Sequence, residues 1–283
     1  ETGMELVRKI YPKFGVTPGL LLAPGWSHDP DVGLVLAAKC VEINGVFKCE
    51  CIVDIDSTTE KGAKVYTEVK AKKEGAGVSS EHAYPLWPCF RVGSYILWAS
   101  AVAAARTAYL DAANDNVPYL SPSNKTISIT GTCLADGTEV VLDQVQANAL
   151  NGVGVTTAIN QNGWRLWGNR SCSGDPKWKY LCVRRTADMI NESLLQAHLW
   201  AVDRGITKTY VEDVRAGVES YLRHLKAIGA ILGGSCWCDP ELNTPDQIAN
   251  GTVYWDFDFT PIYPCEHPTF RSHLVNDYVE EIF

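Results

Sequence analysis

Apolar and polar positions along the chain fall into two successive patterns. In the first, short continuous apolar runs alternate with helical periodicity. Residues 4–12 read as a short helix with Leu6, Val7 and Ile10 on its apolar side. Residues 20–23 are a continuous apolar run closed by Pro24-Gly25, which predicts a strand buried on both faces. Val32, Val35, Leu36 and Cys40 fall inward on a helix over 29–44. Residues 49–56 predict a second buried strand, after which Ser57 can cap a helix over 58–73. A third strand is expected over 86–90, where Pro88 is tolerated only near an edge or bend. Residues 95–113 are Ala-rich and apolar nearly all round, the pattern of a buried helix. Strand and helix in alternation imply an α/β unit with a mostly parallel sheet and right-handed crossovers.

The second pattern starts after a loop rich in Pro, Ser, Asn and Thr over 117–132 and a short helix over 144–150. An apolar run over 155–159 meets Asn162-Gly163, a tight turn of the kind that needs positive φ, and Trp164-Arg165-Leu166-Trp167 returns as the partner strand. Gly174-Asp175-Pro176 marks a domain edge, dividing the chain into residues 1–172 and 173–283. A strand over 178–184 is expected to lead into a helix bearing Ile190, Leu194, Ala197 and Ala201. Thr207 caps a further helix with Val211, Val214, Val218, Leu222, Leu225 and Ile228 on one face, and Gly229 ends it. Val253, Trp255, Phe257 and Phe259 alternate with polar residues, predicting a strand with one buried face. Residues 270–278 suit a further strand, paired back after the connection over 261–268. This second unit is smaller and of α+β type.

Charge and cysteine content narrow the function. The net charge of −8 over 283 residues argues against a nucleic-acid partner. No apolar run reaches membrane-spanning length, since the best, residues 95–105, is short and broken by Ser100. The first residues lack the basic and apolar regions of a signal peptide. The ten cysteines sit in a chain long enough to build its own core, so they are expected as free buried thiols in a reducing compartment. Cys49-x-Cys51 and Cys236-x-Cys238 depart from the spacing of zinc ligands, and no metal or other cofactor is expected.

A set of motifs in fixed order carries a resemblance. Residues 162–170 (NGWRLWGNR), Asp175-Pro176-Lys177-Trp178, Arg184-Arg185 and Trp200-Ala201-Val202-Asp203 resemble the contractile tail sheath proteins of phages and of phage-derived R-type bacteriocins. Residues 18–28 (PGLLLAPGWSH), 119–124 (YLSPSN), 239–244 (DPELNT) and 251–259 (GTVYWDFDF) match the same family in the same order. The resemblance implies a subtilisin-like three-layer domain over 1–172, followed by the family's C-terminal domain. It implies a structural, non-enzymatic subunit of the virion tail, assembled in the cytoplasm of a bacterial host. Such subunits form hexameric rings that stack around the tail tube between baseplate and tail terminator. They contract to drive the tube through the host envelope, with no nucleic-acid contact and no membrane insertion. Family members carry an N-terminal arm and further sequence before the position matching Glu1, so this chain is expected to be a truncated fragment and, by itself, a monomer.

Site residues follow from the same resemblance. Tyr278, Val279, Glu280, Glu281, Ile282 and Phe283 would begin a C-terminal arm that pairs with a neighbouring subunit. Glu241, Thr244, Asp246 and Gln247 would form a short acidic element touching the tube. Trp164, Trp167, Arg170 and Trp178 would form the junction between the two domains. The competing reading, a cytoplasmic hydrolase of subtilisin-like architecture, needs Asp, His and Ser in that chain order. Asp54 or Asp56, His82, and Ser121 or Ser123 supply them, but no nucleophile turn is present and Gly131-Thr132-Cys133 follows no defensible strand. Gly152-Val153-Gly154 lacks the remaining features of a dinucleotide loop. His224 and Glu266-His267 read as solvated residues, and Asp54 and Asp56 read as helix caps rather than cation ligands.

Overall fold

A computed structural model describes residues 3–41, 43–58 and 60–277. At its centre lies a parallel sheet of β1 (Leu20–Leu22), β2 (Glu50–Asp54) and β3 (Ala83–Leu86), in that order. Beyond β3, Thr156 bridges Leu86 in the parallel sense, so the chain at 155–156 continues the sheet. Every residue of β2 is buried, as a central strand with both faces covered must be. Its alternating side chains sort onto the two faces. Cys51 and Val53 pack against Leu36, Ala37 and Cys40, while Ile52 packs with Ala99 and Ala103. The first group lies on α2 (Pro30–Lys39) and its C-cap Cys40, the second on α4 (Ala99–Ala112).

The start of the chain, a 3-10 turn over Gly3–Lys9 and α1 (Ile10–Phe14), sends Met4, Val7 and Tyr11 onto the α2 side of this core. Asp29 caps α2 by accepting from the Asp31 N–H at 3.0 Å. Several elements differ from the pattern-based expectation. β1 is an edge strand with Leu22 37% exposed, because nothing pairs with its outer side among the described residues. Val35 lies on the exposed face of α2. The helix expected over 58–73 shrinks to α3 (Val69–Gly75), and Ser57 is buried beside the Cys89 thiol instead of capping it. Trp87-Pro88 breaks the expected third strand, so its first part is β3 and the rest is β4 (Cys89–Val92). Residues 95–97 leave the expected helix to form β5 (Tyr95–Leu97), all three exposed.

β4 pairs antiparallel with β5 and with β6 (Gly131–Cys133), so the Gly-Thr-Cys run is itself a strand. α5 (Gln144–Gly152) begins with a capping box between Asp143 and Gln146. β7 (Thr157–Asn160) and β8 (Trp164–Trp167) then form the expected hairpin, with Asn162 at φ 53° and Gly163 at φ 97° in its turn. The ladder closes at Asn160 and Trp164, so the loop holds Gln161, Asn162 and Gly163, and its last two residues are types that tolerate the left-handed region.

No strand forms over 178–184; there α6 (Leu181–Ala197) already begins. Its neighbour α7 (Lys208–Ala227) is capped by Thr207, whose hydroxyl accepts from the Tyr210 N–H at 3.1 Å. β9 (Ile231–Trp237) and β10 (Asp256–Pro261) pair antiparallel and close the second core, with α8 (Pro245–Ala249) between them. Val218, Leu222, Leu225 and Ile231 meet Trp255, Phe257 and Phe259 there. The strand expected over 270–278 has no ladder partner among the described residues. Phe270 and Leu274 are 95% and 98% exposed.

Candidate assembly interface

One helix belongs to both cores. Leu181 at the start of α6 packs with Ile52 and Ala99 under the parallel sheet, while Ile190 and Leu194 pack with Val218 and Leu222. The first turns of α6 also carry two arginines. Arg185 grips the Asp111 carboxylate on α4 at 3.0 and 2.5 Å, and Arg184 grips Asp188 one turn along at 2.8 and 3.2 Å. Both arginines are 7% exposed, so each carboxylate offsets part of the cost of burying a cation. The sequence reading noted Arg184-Arg185 as a motif but missed Asp188 and Asp111. Asp188 was findable, since it stands four residues after Arg184 on a helix. Asp111 was not, because it lies 74 positions away from Arg185.

The four residues expected at the junction are distributed as follows. Trp164 packs onto the core under α4, and the Trp167 indole donates to Asn148 on α5 at 2.9 Å. Arg170 crosses to the C-terminal segment. Its Nε and Nη2 grip Glu266 at 2.9 and 2.7 Å while Nη1 donates to the Asn151 carbonyl at 3.2 Å. Tyr180 adds a hydroxyl to Glu266 at 3.1 Å. Burial pushes the Glu266 carboxyl up, but the Arg170 hydrogen bonds and charge, with Tyr180 and Lys179, hold it below its ordinary value. Trp178 lies under the Arg184 guanidinium, 4.8 Å from the ring centre.

A sheet with both of its edges open lies in the C-terminal part of the chain. β9 and β10 pair only with each other among the described residues, which leaves the outer backbone groups of both strands without a ladder partner. Leu232 and Trp237 on β9 are 61% and 43% exposed. Tyr278, Val279, Glu280, Glu281, Ile282 and Phe283 lie outside the described residues. Glu241, Thr244, Asp246 and Gln247 are all exposed at the tip between β9 and β10. That tip is held in shape. Thr244 caps α8 through the Gln247 N–H at 3.4 Å, and the Asn243 amide bonds the Tyr254 N–H and C=O at 2.8 and 2.9 Å.

The hydrolase candidates do not converge. Asp54 ends β2, whereas His82 stands beside Glu50 at its other end, four residues or roughly 13 Å along the strand. Asp54 instead accepts from the Ser100 N–H at 2.9 Å and from the Ser100 and Ser27 hydroxyls at 2.5 and 3.1 Å, capping α4. Burial raises its carboxyl despite those bonds. Asp56 accepts from the Thr58 N–H in a local turn. Ser123 accepts from the Gly168 N–H and Ser121 from the Ser123 N–H, so both shape a loop. Gly152-Val153-Gly154 ends α5, where the Val153 carbonyl accepts from Lys73. The cysteines are free, and Cys40, Cys49 and Cys51 share the core on the α2 side. Thiol contacts with Cys49 and Cys51, together with burial, push the Cys40 thiol far up, which keeps it protonated and inert.

Residues 173–274 match the family model described as the phage tail sheath C-terminal domain. The chain is 35% identical over 286 residues to a putative prophage major tail sheath protein of Pseudomonas aeruginosa, covering 99% of this chain and 71% of that protein. It is 29% identical to the tail sheath protein of Escherichia phage P2, covering 99% of this chain and 69% of the relative. In fold it is similar to the sheath of an extracellular contractile injection system, the PVC complex in its contracted state. That match has a TM-score of 0.78 at 20% identity and covers 98% of this chain and 76% of the other. These relatives give the hydrolase reading no support, and the chain belongs to the phage tail sheath protein family.

Proposed function

We propose that this chain is a structural subunit of a contractile tail sheath, which polymerises around the tail tube and contracts to drive the tube through the host cell envelope. The single observation that carries the assembly step is the two-stranded β9–β10 sheet with both outer edges open. Such edges are a liability in a solitary protein and a joint in a polymer, because a neighbour's extended arm adds by backbone pairing while side chains set the register. The arm is assigned to Tyr278 through Phe283, following the unpaired and exposed residues 270–277. Residues 1–172 form a subtilisin-like three-layer domain in this reading, and residues 173–283 the α+β domain that faces the tube. Trp164, Trp167, Arg170 and Trp178 belong to the junction between them, and Glu241, Thr244, Asp246 and Gln247 touch the tube.

No chemistry is required for this work. The sheath is metastable when extended, and contraction is driven by contacts formed between subunits that move largely as rigid bodies. The partners are neighbouring subunits in hexameric rings, the tube, the baseplate and the tail terminator. The site of action is the virion tail, assembled in the cytoplasm of the bacterial host. The chain's acidity disfavours nucleic acid, and among the described residues no helix is long and apolar enough to cross a membrane. Electron microscopy of the full-length protein tests the reading. Sheath-like tubes or stacked rings are expected; uniform monomers that turn over peptides would overturn it.

A further inference from the structure

Where α6 crosses the parallel sheet, three side chains from three elements converge in a buried site. Glu50 opens β2, His82 precedes β3, and Asp188 lies on α6; they are 1%, 2% and 6% exposed. His82 Nδ1 stands 3.8 Å from Glu50 Oε1 and 3.4 Å from Asp188 Oδ2. Glu50 Oε1 and both ring nitrogens of His82 are buried without a hydrogen-bond partner. A buried polar atom left unpaired is costly, and three within one site are an exception that needs a cause.

The surrounding charges do not balance. Glu50, Glu81, Asp111 and Asp188 contribute four carboxylates, and Arg184 and Arg185 contribute two guanidiniums in ion-pair contact with them. Lys48 adds a third positive charge acting on His82, so that set, fully ionised, keeps one negative charge in excess. One guanidinium already serves Asp188 and Glu81, and the other serves Asp111 and, at 3.6 Å, the far oxygen of Glu50. Glu50 Oε1 therefore faces the imidazole, not a cation.

We propose that Glu50, His82 and Asp188 hold a divalent transition cation of the zinc class, which ties α6 to the parallel sheet. The ligand atoms suit it, since bonds of about 2.0–2.1 Å in a tetrahedral site put neighbouring ligands roughly 3.3 Å apart. One imidazole with two carboxylates favours zinc or a neighbouring transition ion over calcium or magnesium, which prefer sets built of oxygen alone. The second ring nitrogen has a charged neighbour but no hydrogen bond: Glu81 Oε1 lies 3.5 Å from His82 Nε2, where its charge favours the tautomer that leaves Nδ1 free to bind. A fourth position is left for water.

The test loads the purified chain with Co²⁺ during refolding and then measures metal content and the optical spectrum. The cysteines are competing ligands, so the spectrum must distinguish them. The expected result is one Co²⁺ per chain, d–d bands without thiolate charge transfer, and a thermal midpoint that falls on chelation. His82→Gln should lose the metal, whereas Cys265→Ser, at an exposed thiol, should keep it. Should His82→Gln fail to fold, X-ray absorption of the unaltered protein decides, with imidazole and oxygen scatterers expected and sulfur absent. No uptake, or uptake through sulfur, would overturn the proposal.

Discussion

Arg170 shows how much one side chain can join. Its guanidinium forks onto Glu266 while its third nitrogen holds the end of α5, so Arg170→Met leaves a half-buried carboxylate unmatched. The expected cost is about 1.5–3 kcal/mol, the range for hydrogen bonds to charged groups, read as a shift in urea midpoint at neutral pH. The pH dependence follows from the sign of the Glu266 shift. Its carboxyl is held below the ordinary value in the folded chain, so the stabilisation is complete above the unfolded pKa and is lost as pH falls through the folded one. Glu266→Gln should therefore weaken the protein at neutral pH and flatten its acid response below the ordinary carboxylate value of ~4.3. An unchanged acid limb would show that the pair contributes nothing. Residue roles of this kind were only partly legible in the sequence. Thr207 and the Asn162-Gly163 turn act on near neighbours, so local chemistry reveals them. Asp54 was read as a cap, but for the following helix; the N–H it meets belongs to Ser100, 46 positions on. Glu50 gave no signal beyond being a charge within an apolar run.

Elements with a strong period emerged as read. α7 repeats its apolar positions over five turns; β10 places Phe257 and Phe259 on one face but begins only at Asp256, leaving Val253 and Trp255 of the expected strand outside it. Misplaced boundaries share a cause: local propensity yielded to tertiary pairing. Residues 95–97 have helix-compatible neighbours but find a hairpin partner in β4, and Trp178 lies within a loop that α6 needs for its approach to the sheet. At this scale the α8 tip makes a direct prediction. Its shape is set by Thr244 and Asn243, so Glu241→Lys with Asp246→Lys changes charge on exposed positions while the turn persists. In the full-length protein this double variant should fold normally, by circular dichroism, yet assemble poorly on tubes. Normal tails from it would remove the tip from the tube interface. The arm is tested by deleting residues 279–283 from the full-length protein. Sheath polymerisation should be abolished with the subunit's thermal midpoint little changed. A large drop in that midpoint would mean these residues belong to their own core.

The molecule as a whole reads as two units in its sequence, with a punctuation mark at Gly174-Asp175-Pro176. Composition, length and the order of motifs were enough to place it among sheath proteins, because those signals are spread along the chain and survive errors at single boundaries. What such signals cannot carry is how firmly one unit is held to the other, since that rests on burial along a single helix. α6 has its first turns in the core of the parallel sheet and its later turns in the core behind β9 and β10. Neither core can melt without stripping apolar surface from a helix the other still holds. The expected outcome in scanning calorimetry is therefore one endotherm, with van't Hoff and calorimetric enthalpies equal, rather than two resolved peaks. Breaking Arg185 away from Asp111 with Arg185→Leu should broaden or split that transition. Amide exchange offers an independent reading: the middle of α6 should open only with the slowest class of protons in the protein. A chain punctuated as two pieces would then count, thermodynamically, as one.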